Sequence, residues 1–411
     1  MKISVAMTTY NGEKFLPEQL ESLRLQSRPA DEVIIVDDRS TDGTLDLLMK
    51  YRGDHPDFPV RIFENRENQG YKRNFHIAAK KTTGDLILFC DQDDIWAEEK
   101  IETLAGMMEE HPEMLTLASS YDLIDGSGNP VTTDEWEGWC NHNLYHRVVG
   151  ADELVRVPLT DLLLHNFCQG CAEIIRREVL GEFIRGYHGR IPHDWYVNLV
   201  AASRDGLYFY NHPLFHYRIH GGNALGLRPD ITWKDKFSAE YRTLDARQSR
   251  DVIRDLRKIA PDLFASSGEE PEEEENPEAG KVIGDLGKRF SHALGRKIRK
   301  KWNRTFSGGK EIRESSEGRD SGPQNAGSEA GTEGYDASSL REIRIYPDRA
   351  ETAEEVREQE KFIRGYLDAV RNKKTVYMLS LYDNPRYREF RSREGWAADV
   401  ACTVFQKRPK I

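Results

Sequence analysis

The chain has 411 residues, enough for two domains or for one large domain with appendages. Acidic residues outnumber basic ones by 70 to 59, and the formal charge of −11 excludes a general nucleic-acid binder, which would carry a basic excess. No stretch reaches the ~18 to 20 apolar residues of a membrane span, and Tyr10, Asn11 and Glu13 cut short the apolar start that a secretory leader needs, so a cytoplasmic protein is expected.

In chain order, "KISVAMTTY", "DEVIIVDD", "PVRIFEN" and "DLILFCDQ" are short β-branched runs bounded by turn residues and predict four strands. Between them, Leu16, Leu20 and Leu23 mark one inward helix face. A second helix is expected from Thr41 to Tyr51, with Leu45, Leu48 and Met49 inward, after the capping stretch "DRST". Strand and helix alternating at this spacing predict a mostly parallel, doubly wound α/β sheet. Such sheets bind ligands at the carboxyl ends of their strands. Thr8, Thr9, Tyr10, Asp37, Asp38, Asp91 and Asp93 all fall there.

Residues 126–228 are less regular and rich in aromatics and histidine. Cys168 and Cys171 form a CxxC with no second pair to complete a zinc site, and strand packing is the expected role. Reduced thiols fit the expected compartment. Residues 229–265 read as a helical extension. Residues 266–339 are charged and of low complexity, with too little apolar surface to fold. Within them, 281–304 holds nine Lys/Arg and a single acid, Asp285, with Trp302 among the cations. Its apolar residues recur every four positions, so the stripe winds about a helix axis instead of holding one face. It reads either as a peripheral contact with an anionic membrane or as a solvated helix paired with the acidic run at 269–278. Residues 340–411 form a C-terminal helical segment with periodic Phe362, Leu367 and Val370.

The chemistry concentrates at "ILFCDQDDIW", where an apolar strand ends in Asp91, Asp93 and Asp94. Like charges so close repel unless a cation lies between them. An Asp-x-Asp at a strand end suits a hard divalent ion such as Mg²⁺ or Mn²⁺ shared with substrate phosphates. The plainer alternative is a turn capping the next helix. A dinucleotide-dependent oxidoreductase is disfavoured, because "TTYNGEKF" follows the first strand where G-x-G-x-x-G would stand.

"VAMTTYNG", "VIIVDDRSTDGT", "NRENQGYKRNFHIAAKKTTGDLILFCDQDDIW" and "HDW" occur in this order, and together they resemble the family 2 glycosyltransferases, inverting enzymes of GT-A fold. The resemblance covers roughly residues 1 to 225. "CDQDDIW", "HDW" and "YRIHGGN" look most like the rhamnosyltransferase-like branch, which builds bacterial surface polysaccharides. It implies a GT-A domain over 1–228, with 1–125 for the nucleotide sugar and 126–228 for the acceptor. The donor would be a nucleoside-diphosphate sugar, dTDP-rhamnose or a UDP-sugar, and the acceptor a glycan or lipid-linked glycan.

The resemblance also implies roles for individual residues. Thr8, Tyr10, Asn11, Asp38, Arg73, Asn74, Asp91 and Gln92 would bind the donor, with Asp38 on the base or ribose and Arg73 on the diphosphate. Asp91 and Asp93 would hold the metal, joined by His220. Arg218 or His220 would close over the diphosphate, with Gly221 and Gly222 in a mobile loop. Asp194 would be the base that takes the acceptor's proton. Gln169 and Gly170 would lie beneath the acceptor, and Trp136, Trp139 and Trp195 are candidate sugar platforms. The rival from another class is a non-catalytic carbohydrate-binding or scaffold protein on a GT-A fold, which loss of Asp93 or Asp194 would favour. Both are present.

Overall fold

The computed structural model describes residues 1–132, 147, 149–220, 244–264, 347–372, 374–381, 384, 386, 387 and 399. The strands are β1 (Ile3–Thr9), β2 (Glu32–Asp37), β3 (Val60–Glu64), β4 (Leu86–Cys90), β5 (Ile95–Trp96), β6 (Thr116–Ile124), β7 (Leu154–Arg156), β8 (Glu173–Arg176) and β9 (Leu207–Arg218). They form one sheet in the order β3-β2-β1-β4-β8-β6-β9-β5, with β7 on β9. The first four strands are mutually parallel, as expected, while β8 runs antiparallel between β4 and β6.

Every residue of β1, β2 and β4 is buried, as a sheet covered on both faces requires. Alternate side chains go to opposite layers. Ile3, Val5, Met7, Val33, Ile35, Leu86 and Leu88 meet α1 (Leu16–Arg24) and α4 (Lys100–Glu110). Ala6, Ile34, Val36, Ile87 and Phe89 meet α3 (Tyr71–Ala79), α5 (Arg177–Gly186) and α6 (His193–Ala202).

The second helix, α2 (Thr44–Asp54), starts three residues later than expected. The Asp42 carboxylate accepts the Thr44 N–H and Oγ1, so it organises the turn and delays the first helical residue. Within α2 Leu48 is buried as expected, whereas Met49, also expected inward, is 48% exposed. Beyond the sheet, α7 (Leu244–Ile259) and α8 (Arg349–Asn372) are followed by the short α9 (Thr375–Ser380). Phe362 and Val370 of α8 are buried, as their period predicts. Val252 and Leu256 of α7 and Val356 of α8 belong to the same apolar cluster as α6.

Candidate active site

Parallel pairing puts Thr9 opposite Asp37 and Met7 opposite Cys90, so β1, β2 and β4 end nearly in step. Side chains tie these ends together. Thr9 Oγ1 donates to Asp37 at 2.9 Å, and Asn11, at φ +49°, accepts the Thr41 N–H at 2.8 Å. Gln92 exchanges two hydrogen bonds with the Tyr10 backbone, at 2.8 and 3.0 Å. Asn11 and Gln92, expected on the donor, are therefore struts between strand ends. Thr8 is buried, and Tyr10 is 46% exposed.

Two more expected donor contacts are committed elsewhere. Asp38 is only 2% exposed, and its oxygens accept from Asn65 Nδ2 (2.7 Å) and from the Gln69 and Gly70 N–H groups (both 2.8 Å). It holds the 65–70 loop. Asn74 is buried, donating to the Val36 carbonyl and accepting from Asn65. Arg73, its neighbour on α3, is exposed.

The β4 end gathers the charge. Asp91, Asp94 and the Cys171 thiol bring ligand atoms within 4.8 Å of one another, while Asp93 pairs with His220 Nε2 at 2.8 Å. Burial, then the charges of Asp93 and Asp94, holds the Asp91 carboxyl well above its ordinary range. Burial also pushes Asp94 up to about 7, with the Asp93 charge adding to the rise and the Arg218 N–H opposing it. One Asp94 oxygen accepts that N–H at 3.1 Å, and Oδ2 lies buried without a nitrogen or oxygen donor among the described residues.

Such a cluster fits a hard divalent cation. Asp91 and Asp94 offer the oxygen donors that Mg²⁺ or Mn²⁺ accepts, while Asp93 and His220, the other expected ligands, pair with each other. The Cys171 thiol does not join those donors, because burial raises its pKa and leaves it protonated. Arg218 locks the arrangement from beneath. It is 1% exposed, donates through Nε to the Asp93 carbonyl at 2.8 Å, pairs with Glu18, and stacks with Phe15 at 4.9 Å.

Asp194 stands in the first turn of α6, after Pro192 at the N-cap. Its carboxylate accepts the Trp195 N–H at 2.8 Å and the Gly170 N–H. Burial nevertheless raises its pKa to about 6, with those hydrogen bonds and then Lys72 pulling the other way. It lies close enough to the β4 cluster to raise the Asp91 pKa further.

Gly170, expected beneath an acceptor, packs against this helix start. A Cβ there would lie 2.6 Å from His193 Nε2 and 3.5 Å from Asp194 Cβ. Gly170→Ala is therefore expected to cost about 1 to 3 kcal/mol and to displace α6. Urea unfolding reads the first effect, and a lowered transfer rate reads the second. Trp195 is also corrected: it is 4% exposed, and its Nε1 donates to the Leu162 carbonyl at 2.8 Å, so it packs in the core. Gln169 is partly buried and donates to Tyr121 at 3.0 Å.

Two further residues contribute, of which His193 was not singled out and Glu173 was expected only as a substitute base behind Asp93 and Asp94. His193 stacks on Phe75 at 4.0 Å, and burial drops its pKa to about 3, so it is a neutral ring beneath Asp194. Glu173 is wholly buried, accepts from Asn198 at 2.6 Å, and has a pKa pushed well up by burial. Only its adjacency to Asp194 could have drawn attention to His193. Trp136, Trp139, Gly221, Gly222 and the basic segment 281–304 lie outside the described residues.

The family described as "Glycosyl transferase family 2" matches residues 4–183. An uncharacterized glycosyltransferase of Nostoc sp., alr2836, is 27% identical over 226 residues, 54% of this chain and 66% of that protein. The Shigella flexneri dTDP-rhamnosyl transferase RfbG is 25% identical over 276 residues, covering 64% of this chain and 86% of RfbG. The Staphylococcus aureus poly(ribitol-phosphate) beta-N-acetylglucosaminyltransferase TarS is 36% identical over 132 residues, 32% of this chain and 22% of TarS. Residues 4–183, which carry the strand ends and the Asp-x-Asp, match glycosyl transferase family 2, and the chain spans less than two thirds of the length of the first relatives it matches.

Proposed function

We propose that the chain moves a sugar from a nucleoside-diphosphate donor to a hydroxyl of a growing surface or lipid-linked glycan, with inversion and with a divalent metal. The observation that carries this reading is Asp194. It is a carboxylate with a pKa near 6 on a helix start, within electrostatic reach of the strand-end cluster.

In this reading the donor lies across the ends of β1 and β4, with Tyr10 at the base and Arg73 toward the diphosphate. Asp91 and Asp94, with Asp93 and His220 as the further expected ligands, would hold the cation, which supplies neutralisation of the charge on the departing nucleoside diphosphate. Asp194 takes the acceptor's proton as the hydroxyl oxygen attacks the anomeric carbon. Its raised pKa suits that task, since a base works best when its pKa lies near the working pH. The raised pKa of Glu173 and its full burial remove it as an alternative base in this reading. A rhamnosyl donor is the first choice among sugars, supported by the similarity to RfbG.

The test is release of nucleoside diphosphate from a panel of nucleotide sugars, with Mg²⁺ or Mn²⁺ and acceptor glycans. Turnover of one donor is expected. Donor binding without turnover would favour the non-catalytic alternative. A membrane contact through 281–304 is part of the same proposal, and co-sedimentation with anionic vesicles, with and without that segment, tests it.

A further inference from the structure

Lys100 is the anomaly of this site. A lysine is almost never fully buried without a partner, yet Lys100 is 0% exposed. It also occupies the first residue of α4, where the positive end of the helix dipole disfavours a cation. Its ammonium donates to the Cys171 carbonyl and lies over the Trp96 and Phe215 rings, at 4.1 and 4.3 Å. Among the described residues its ammonium contacts are this carbonyl and these rings and not a carboxylate, so an ordinary ion pair does not account for its charge.

What surrounds it does. Cys171, whose carbonyl holds the ammonium, has its thiol within 4.8 Å of the Asp91 and Asp94 ligand atoms. Cys171 thus links Lys100 to the carboxylates, and while burial pushes the Lys100 pKa down to about 8, the charges of Asp94 and Asp91 are among those that oppose the fall. Packing alone would be served as well by methionine, since replacing a buried charge with an apolar residue of similar shape is often neutral. The retained charge needs another reason. The two carboxylates are buried or partly buried, close together, and exposed to each other's field whenever no divalent ion is bound.

We infer that Lys100 is the internal counter-ion of the Asp91–Asp94 cluster, a fixed positive charge that keeps the cluster formed while the diffusible cation comes and goes. It is a positioning residue and touches no substrate. Two attractions then share one negative cluster, so the lysine and the divalent ion partly substitute for each other. The inference rests on reading these carboxylates as the metal and donor site, but its main test needs no metal.

The test is a double-mutant cycle on thermal stability in EDTA with Lys100→Met, Asp94→Asn and the double variant of the full chain. Lys100→Met is expected to lower Tm by about 5 to 10 °C, because it leaves a buried charge uncompensated. Adding Asp94→Asn should restore at least half of that loss. Mn²⁺ alone should then raise the Tm of Lys100→Met by more than it raises the wild type. Additive losses in EDTA would overturn the inference, because a lysine that only packs and bonds a carbonyl has no coupling to Asp94. If Lys100→Met does not fold, the double variant decides: recovery of soluble protein supports the counter-ion, and its failure while Asp94→Asn folds overturns it. A cycle that couples while Mn²⁺ changes no Tm would keep the counter-ion and reject the metal site.

Discussion

Asp194→Asn is expected to slow sugar transfer by ~10²- to 10⁴-fold, the usual cost of removing a general base, while donor affinity stays near that of the wild type. The asparagine can still accept the Trp195 and Gly170 N–H groups that orient the side chain, so the shape of the helix start survives. It cannot take a proton. The wild-type pH profile should show an acid limb near 6, the value to which burial raises Asp194, and the variant should lack it. Stability should move the other way. A carboxyl with a folded pKa near 6 and an ordinary value of 3.8 holds its proton more tightly when folded. The fold therefore loses stability as pH rises through that window, and the loss is complete above it. Removing the charge should relieve about 1 kcal/mol at pH 8, after discounting for partial exposure, and nothing at pH 3. Near wild-type transfer by Asp194→Asn would place the base elsewhere, with Asp93, Asp94 and Glu173 the candidates named from the sequence and Glu173 set back by its full burial.

EDTA is expected to abolish transfer, and Mn²⁺ or Mg²⁺ to restore it. Asp93→Asn should lower the rate at least ~10²-fold, since charge stabilisation by a metal ion contributes several kcal/mol. Asp93 binds His220 through its carboxylate and anchors Arg218 through its carbonyl. The substitution removes the charge and leaves the carbonyl, so a circular dichroism spectrum like the wild type's should accompany the loss. Full activity after exhaustive EDTA treatment would mean that Arg218, His220 and Lys100 carry the compensation without an ion.

The strands were legible because each is a β-branched run with turn residues at both ends, and burial on both faces leaves little room for another register. The candidate site was legible by location and less so by role. Asp37 and Asp38 are adjacent, and sequence does not say which one a loop some thirty residues away will claim. The 65–70 loop claims Asp38, and Ser40 claims Asp37. Trp195 looked like a sugar platform because indole has a flat apolar face, and only packing shows that face to be covered. Gly170 gave no hint of how tightly His193 packs against it, which shows only when a Cβ is placed there. Lys100 lies in a helix start rich in charge, where one lysine turning inward leaves no trace.

The apolar layer over α6 has a consequence for synthesis on the ribosome. The helix that carries Asp194 shares its core with α7 and α8. Yet α8 begins at Arg349, far downstream of Ala202 where α6 ends. At roughly 5 to 20 residues per second, translation delivers α8 about 7 to 30 s after α6. The sheet and α6 can assemble in that interval, but part of their outer face stays open to water and to other nascent chains. The family domain therefore emerges well before its last covering helix, and that interval is when a holding chaperone has most to offer this protein.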